Sequence, residues 1–217
     1  MVYSALTNII FAVGRTGTSG VSLLGTATLI NSPGKFVTAA HVTNKNDKNL
    51  VVVLRPYNSI NDYQDTSDSE VKLIPVRIEA IDPFTDLCIL AADIEASSNL
   101  SIGDTDILSL GNIVDIFGYP HADSGRLVLT QHRTQIGARI LIKNGSIKTK
   151  HVVLNTQARP GQSGSPIFSS QTSVIVAILI GSYAPGGGGG ISLGGVDPHT
   201  LHQTTHAVSA EYIKQML

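Results

Sequence analysis

Short apolar runs, many of them rich in β-branched residues, recur along the whole chain and are separated by Gly, Asn or Asp. Such runs are typical of β-strands. The sequence predicts strands at 8–13, 21–30, 35–38, 50–54, 71–80 and 87–92, and then at 113–117, 126–129, 135–142, 151–156, 166–168 and 174–181. Only the last segment, 209–217, predicts a helix, because Ser209 resembles an N-cap and Tyr212, Ile213 and Leu217 form an apolar stripe.

The polar stretch 97–105 divides these predicted strands into two sets of six. Two small β-barrels or sandwiches of comparable size are therefore expected. A chain of 217 residues is within the range for one all-β domain built from two halves.

Composition narrows the classes of function. Apolar residues make up 42% of the chain and charged residues 14%, with a formal net charge of −1, which indicates a globular protein. No dense Lys/Arg cluster occurs, the sparse group at 143–150 being the nearest to one, and this argues against nucleic acid or an anionic membrane as the partner. The single cysteine, Cys88, excludes an internal disulfide and is expected in the core.

The first residues do not have the pattern of a signal peptide, since no basic residue precedes Arg15 and no apolar stretch ends in a small-residue cleavage site. The longest apolar run, 174–180, is too short to span a membrane. The sequence thus favours a cytoplasmic protein, with a secreted protein whose leader has been removed as the alternative.

The stretch 158–168 contains the candidate nucleophile. Its Gly161-Gln162-Ser163-Gly164-Ser165-Pro166 turn presents one serine on a bend, directly before an apolar strand. Gly161 tolerates unusual backbone angles, and the N–H groups of Gly161 and Ser163 are candidates to hold an oxyanion. The same pattern also fits an ordinary glycine-rich loop that enters a strand.

Two further residues favour catalysis. His41 ends a predicted hairpin strand after the small residues Ala39 and Ala40, and histidine is the usual general base for a serine. Asp86 opens the strongly apolar strand at 87–92, where a carboxylate needs a partner such as a histidine ring. Asp82 is the rival, but it precedes a proline in a predicted turn.

These blocks resemble the signatures of the trypsin-like (chymotrypsin-fold) serine proteases. The order His41, Asp86, Ser163 is the order that this fold uses, with separations of 45 and 77 positions. The resemblance implies two six-stranded antiparallel β-barrels with a C-terminal α-helix. It assigns 1–103 to the barrel with His41 and Asp86, and 104–217 to the barrel with Ser163. The Ser-Gly-Ser-Pro motif and the lack of disulfides are most similar to the bacterial glutamyl-endopeptidase branches.

The resemblance implies a serine endopeptidase that acts on a protein or peptide and needs no cofactor. Gln162 stands where members activated by N-terminal cleavage carry Asp, so a preformed oxyanion hole or a regulatory partner is expected instead. Gln157 replaces the acidic residue that selects Arg or Lys substrates, and Leu179 occupies the position of the histidine in glutamate-specific relatives. Gly181, Ser182 and His206 are the other expected substrate-binding residues, and they predict a small, apolar or neutral polar residue before the cleaved bond.

Other interpretations remain open. His199, His202 and His206 have the spacing of metal ligands on a helix, but their Thr-rich context favours a loop that enters a strand, so no metal is expected. A protease-like binding module would bind peptides without turnover. An esterase with the same triad would cleave esters and no peptide.

Overall fold

Two β-sheets form the molecule. The computed structural model describes residues 6–54, 59–183 and 204–217. The first sheet has the strand order β5-β4-β1-β2-β3-β7-β6. Its strands are β1 (Ile10–Gly17), β2 (Gly20–Leu29), β3 (Lys35–Ala39), β4 (Leu50–Leu54), β5 (Lys72–Pro75), β6 (Arg77–Asp82) and β7 (Leu87–Ala91).

The second sheet closes on itself. Its order is β12-β9-β10-β11-β14-β13-β8, and an additional β12–β13 pairing completes a ring of six antiparallel strands. The short β8 runs parallel to β13 outside this ring. The strands are β8 (Ser101–Ile102), β9 (Ile113–Gly118), β10 (Thr130–Asn144), β11 (Ile147–Leu154), β12 (Pro166–Ser169), β13 (Val174–Tyr183) and β14 (Thr204–Ser209).

Apolar side chains of both sheets contribute to one large buried cluster, and a second cluster fills the closed barrel. The residues of β7 are all buried, and so are the first four residues of β1. Phe117 of β9 and Tyr119, which directly follows β9, belong to the same buried cluster, and the Tyr119 hydroxyl donates a hydrogen bond to the Ile10 carbonyl over 3.2 Å. The two sheets are therefore packed directly against each other.

The all-β prediction is confirmed, but the prediction of two six-stranded barrels holds only for the second sheet. The first sheet is a curled half-barrel, because its outer strands β5 and β6 do not pair with one another within the described residues. These two strands were expected as one, at 71–80. Val76 separates them, and its N–H donates to the Leu50 carbonyl.

The predicted C-terminal α-helix is wrong. Residues Ala210–Gln215 form a short 3₁₀-helix instead. Ser209 does not cap it with its side chain, because Ser209 ends β14 and its buried hydroxyl accepts a hydrogen bond from the Thr105 N–H. Ile213 is fully buried and Tyr212 accepts a hydrogen bond from the Lys150 N–H, so tertiary contacts fix this segment.

The predicted strand at 126–129 is also wrong. The backbone N–H and carbonyl of Leu129 bond to the side-chain amide of Gln64, not to a neighbouring strand. Cys88 lies in the core, as predicted, and burial raises the pKa of its thiol to about 12. Within the ranges given above, no helix combines the length and the apolar composition that crossing a membrane requires.

Candidate active site

His41 is positioned by the end of β3. There the chain enters a four-residue helix, α1 (Ala40–Thr43), whose second residue is His41. Ala39 and Ala40 are buried, and the Ala40 N–H donates to the Asp86 carbonyl over 2.7 Å. The small alanines let this turn pack closely, while the His41 side chain remains 49% exposed.

Asp86 holds His41 at two points. Its Oδ2 lies 2.5 Å from His41 Nδ1, and its Oδ1 accepts the His41 backbone N–H over 3.0 Å. Asp86 adopts a left-handed backbone conformation, with φ of 57°, which Asp tolerates better than most residues. Because a carboxylate oxygen accepts hydrogen bonds, this contact places the ring proton on Nδ1 and leaves Nε2 as the basic nitrogen.

Asp82, the rival carboxylate, stabilises the turn before β7. Its Oδ1 accepts the Phe84 N–H over 2.9 Å, and its Oδ2 accepts the Thr85 hydroxyl over 2.7 Å. Both of its oxygens are thus occupied by local turn contacts. Asp86 is the aspartate that contacts the histidine ring.

The candidate nucleophile, Ser163, lies in a compact turn. The Gln162 N–H donates to the Arg159 carbonyl, and the Ser165 N–H donates to the Gln162 carbonyl. Two glycines are required here: Gly161 has φ of +86° and Gly164 has φ of +89°. A Cβ at Gly164 would lie 1.9 Å from the Thr26 carbonyl oxygen, so no side chain fits.

Thr26 of β2 fastens this turn to the first sheet. Its N–H donates to the Ser163 carbonyl and its hydroxyl donates to the Gly161 carbonyl, both over 2.9 Å. The same hydroxyl accepts the Tyr119 N–H, and the Thr26 carbonyl accepts the Thr38 hydroxyl. The sequence analysis did not single out Thr26 and Thr38, which are both fully buried. Their position inside apolar strands was a usable signal, because a buried hydroxyl needs a hydrogen-bond partner.

Gly25, the residue before Thr26, brings the two halves of the site together. A Cβ at Gly25 would lie 2.8 Å from the side chain of Val42 and 3.1 Å from the carbonyl oxygen of Ser163. Val42 directly follows His41 in α1. The structure therefore brings the His41–Asp86 pair and the Ser163 turn to the same part of β2.

The Gly161 and Ser163 N–H groups are the candidate oxyanion donors. The Pro160 carbonyl accepts the His121 N–H over 2.6 Å, which turns the opposite side of that planar peptide, the Gly161 N–H, away from His121. Among residues 6–54, 59–183 and 204–217, no carbonyl accepts a hydrogen bond from the N–H of Gly161 or Ser163. Two backbone donors near one serine can bind an oxyanion.

Only some of the expected substrate-binding residues lie next to each other in the structure. Gly181 of β13 pairs with His206 of β14, and Ser182 pairs with Thr205. Gln157 is exposed beyond the end of β11. Leu179 was expected to bind substrate, but its side chain is buried in the core of the closed barrel. Its backbone N–H donates to the Ser165 carbonyl, and its carbonyl accepts the Gly164 N–H.

His206 and His151 are neutral polar groups on adjacent strands. Burial lowers the pKa of His206, and its Nε2 lies 3.2 Å from the Thr204 hydroxyl. Burial and the nearby His206 lower the pKa of His151 to about 4. His151, which the sequence did not mark as functional, is 3% exposed and contacts the Thr149 hydroxyl through Nε2.

His199 and His202, the other members of the His-rich motif, lie outside the described residues. Within the described part of the chain, one cluster of three acidic side chains is compact enough to share a cation: Asp104, Asp106 and Glu211. Lys150 Nζ lies 2.6 Å from Asp106 and 3.3 Å from Glu211. The Lys150 ammonium group thus already pairs with two of these three carboxylates.

Comparison with known proteins adds a family match and structural neighbours. Residues 25–178 match the model of the trypsin-like peptidase domain, a span that includes His41, Asp86 and Ser163. No curated protein matches the chain.

Solved structures resemble the fold at low sequence identity. The protease domain of MamO from Magnetospirillum magneticum has a TM-score of 0.68 at 16% identity, over 99% of this chain and 98% of that one. The active form of the Rv3671c protease from M. tuberculosis has a TM-score of 0.69 at 18% identity, over 100% and 82%. The HtrA-type protease AlgW has a TM-score of 0.69 at 19% identity, over 99% of this chain and 61% of that one.

Proposed function

Since the chain belongs to the trypsin-like peptidase domain family, we propose that it is a serine endopeptidase with His41, Asp86 and Ser163 as its catalytic triad. The observation that carries the proposal is the double contact of the Asp86 carboxylate with the ring and the backbone N–H of His41. A carboxylate that fixes the imidazole with its proton on Nδ1 is the arrangement that makes Nε2 a general base.

The reaction proceeds by acyl transfer. Ser163 Oγ attacks the carbonyl carbon of the peptide bond while His41 Nε2 takes the hydroxyl proton, and His41 then gives that proton to the leaving amine. A water molecule, deprotonated by the same nitrogen, attacks the acyl-enzyme and releases the second product. Asp86 stabilises the imidazolium that forms in each half of the reaction.

The oxyanion of each tetrahedral intermediate is bound by the N–H groups of Gly161 and Ser163. The contact of Pro160 with His121 supports this role, because it fixes the orientation of the Gly161 peptide before substrate binds. A preformed donor of this kind is worth roughly 3 kcal/mol of transition-state stabilisation.

The substrate is a protein or peptide with a small, apolar or neutral polar residue before the cleaved bond. Gln157 is uncharged, and burial lowers the pKa of His206, so neither residue supplies a charge that would select a basic or acidic side chain. The structure of AlgW was determined with a tripeptide and with a decapeptide, which supports peptides as the substrate class. Glutamate specificity is not supported, since Leu179 is an apolar core residue.

Control of activity does not depend on a new N-terminus. Gln162 carries no charge that would pair with a terminal ammonium group, and Oε1 of its side chain already accepts the Arg159 N–H over 2.7 Å. The oxyanion hole is either preformed or stabilised by a regulatory partner.

Labelling with a fluorophosphonate probe tests the proposal. Stoichiometric labelling of the native protein is expected, with loss in Ser163→Ala and His41→Ala and retention in Ser170→Ala, an exposed serine outside the site. A folded protein that does not label would contradict the proposal, and peptide binding without product would identify a binding module. Labelling with turnover of esters but of no peptide would identify an esterase.

A further inference from the structure

Thr205 of β14 is a fully buried polar residue among the segments that contain the expected substrate-binding residues. It pairs with Ser182 of β13 on one side and with Leu154 of β11 on the other. Its side chain is 0% exposed. Ala207, two positions further along β14, belongs to the core of the closed barrel, so the alternation of the strand places the Thr205 side chain on the same inner face.

The Thr205 hydroxyl brackets Gln157. Its Oγ1 donates a hydrogen bond to the Thr156 carbonyl over 2.6 Å and accepts one from the Ala158 N–H over 2.7 Å. These two backbone groups lie on either side of Gln157 in the chain, and one hydroxyl can bond to both because it is a donor and an acceptor. The two peptide units that flank Gln157 are thus held by a single buried atom, which fixes where the Gln157 side chain leaves the backbone.

The segment 156–158 spans from β10 to β14. It follows β11, which ends at Leu154, and its Ala158 packs against the core of the closed barrel. The Thr156 hydroxyl contacts Nε2 of His132, on β10, over 2.8 Å. Thr205 supplies the attachment to β14 at the other side.

Four of the five expected substrate-binding residues meet at Thr205. Ser182 pairs with Thr205 itself. His206 follows Thr205 in β14 and pairs with Gly181. Gln157 is attached through the hydroxyl. Bonds from this one side chain therefore hold Gln157 beside the two strands that carry the other three residues.

We propose that Thr205 is a positioning residue for specificity: its hydroxyl holds Gln157 at a fixed distance from Ser182 and His206, and so sets the size of the substrate side chain that fits between them. Thr205 itself does not contact the substrate, because it is fully buried and its hydroxyl proton is donated to a backbone carbonyl. This inference deepens the proposed protease function and rests on it for the assignment of the substrate-binding residues.

Peptide binding to the Ser163→Ala protein tests this role without turnover. The probes are four peptides, acetyl-Ala-Ala-Xaa-Ala-amide with Xaa as Ala, Leu, Gln or Phe, titrated by calorimetry. With Thr205 in place, the affinities should differ at least tenfold between the best and the worst peptide. With Thr205→Val, the best peptide should bind about tenfold more weakly and the range should narrow to about threefold, because Gln157 is no longer held. Thr205→Ser keeps the hydroxyl and should keep the preference.

Two further variants separate positioning from a loss of stability. Thr149→Val removes a similarly buried hydroxyl, on β11, which contacts the Ile142 carbonyl and His151. It should lower stability in urea unfolding without changing the peptide preference. Thr205→Ala removes the same hydroxyl as Thr205→Val without placing a methyl group against the two backbone groups, and it takes the place of that variant if Thr205→Val does not fold.

A double-variant cycle tests whether Thr205 acts through Gln157. Gln157→Ala should narrow the peptide preference in the same way as Thr205→Val. Adding Thr205→Val to Gln157→Ala should narrow it no further, because the side chain that Thr205 positions is already absent. Additive effects on the preference would overturn the proposal.

The remaining outcomes distinguish this role from the protease function. In a protein that retains Ser163, Thr205→Val should raise KM for a peptide substrate about tenfold and lower kcat less than threefold, since substrate positioning is affected and not the triad. Equal weakening of all four peptides would show a merely structural role and overturn the proposal, as would a protein that binds none of them or shows no preference with Thr205 in place. A preference that depends on Thr205, in a native protein that neither labels with fluorophosphonate nor cleaves peptides, would contradict the protease function and leave the positioning role in place.

Discussion

The backbone N–H of Thr26 donates a hydrogen bond to the carbonyl oxygen of Ser163 over 2.9 Å. This bond joins a strand of the half-barrel to the turn of the closed barrel that carries the candidate nucleophile. The Thr26 hydroxyl adds two contacts, to the Gly161 carbonyl and from the Tyr119 N–H. One fully buried threonine thus holds the Ser163 turn against β2, which pairs with β3, the strand that precedes His41.

Replacing Thr26 by Val should destabilise the protein and slow Ser163 labelling. Val has nearly the same shape, so the change leaves two buried backbone groups, at Gly161 and Tyr119, without their partner. A loss of roughly 2–4 kcal/mol in the free energy of unfolding is expected. Thr28→Val is the matched control, because the buried Thr28 hydroxyl has no hydrogen-bond partner among the described residues. Equal losses in the two variants, measured by urea unfolding, would contradict the role of Thr26.

The two aspartates near β7 should behave differently. Asp86→Asn removes the acceptor that fixes the His41 tautomer, and activity should fall by on the order of 10⁴-fold while the fold is retained. Asp82→Asn weakens only the turn contacts to Phe84 and Thr85, so a loss of ~1 kcal/mol in stability with retained activity is expected. Steady-state kinetics on a peptide substrate distinguishes them. Comparable activity losses would mean that Asp86 is not the orienting residue.

Stability should fall as the pH decreases from about 6.5 to about 4. His151 is neutral in the folded protein down to a pKa of about 4, whereas the unfolded chain binds a proton near the ordinary pKa of ~6.5. The unfolded state therefore gains protons first, and the free energy of unfolding decreases by up to ~3 kcal/mol across this window. Above it, both states are neutral and this dependence disappears.

Thermal unfolding as a function of pH measures this effect. His151→Gln should make the profile less steep between pH 6.5 and 4, even if it lowers the melting temperature at neutral pH; part of the slope remains because burial also lowers the pKa of His206. His132→Gln, at an exposed histidine of β10, is the control and should keep the native slope. If His151→Gln also kept that slope, the buried histidine would not be its cause.

Ser165 should tolerate the loss of its hydroxyl. Its Oγ is buried and has no hydrogen-bond partner in the part of the chain that the structure describes, so Ser165→Ala should be neutral or stabilising by ~1 kcal/mol. Gly118→Ala should be destabilising, because the added Cβ would lie 1.9 Å from Ser165 Oγ. The double variant Gly118→Ala/Ser165→Ala should recover part of that loss, because the closest contact is removed, and urea unfolding of the native protein, the two single variants and the double variant would measure it. Additive effects would show that the two residues do not compete for this space.

The local pattern was sufficient to predict most of the strands, and it also named the three residues of the candidate triad. β4 and β7 are apolar runs with clear breaks on either side, and a strand that is buried on both faces needs little further information. His41 follows two alanines after β3, Asp86 directly precedes β7, and Ser163 lies in a glycine-rich turn, and each of these local features can be read from the chain. The contact of Asp86 with His41 follows the same logic, because a carboxylate beside so apolar a strand needs a partner.

Contacts between distant residues decided the rest. Thr26 and Gly161 are 135 positions apart, and no local pattern indicates that a strand threonine will hold a turn in the other sheet. The hydroxyl of Ser209 suits an N-cap by sequence, but the backbone of Thr105 uses it, and a 3₁₀-helix results. Whether a sheet closes depends on the pairing of its outermost strands, which is why two similar sets of strands gave one closed barrel and one half-barrel. Residue chemistry is local, whereas hydrogen-bond partners and sheet closure are set by the three-dimensional packing.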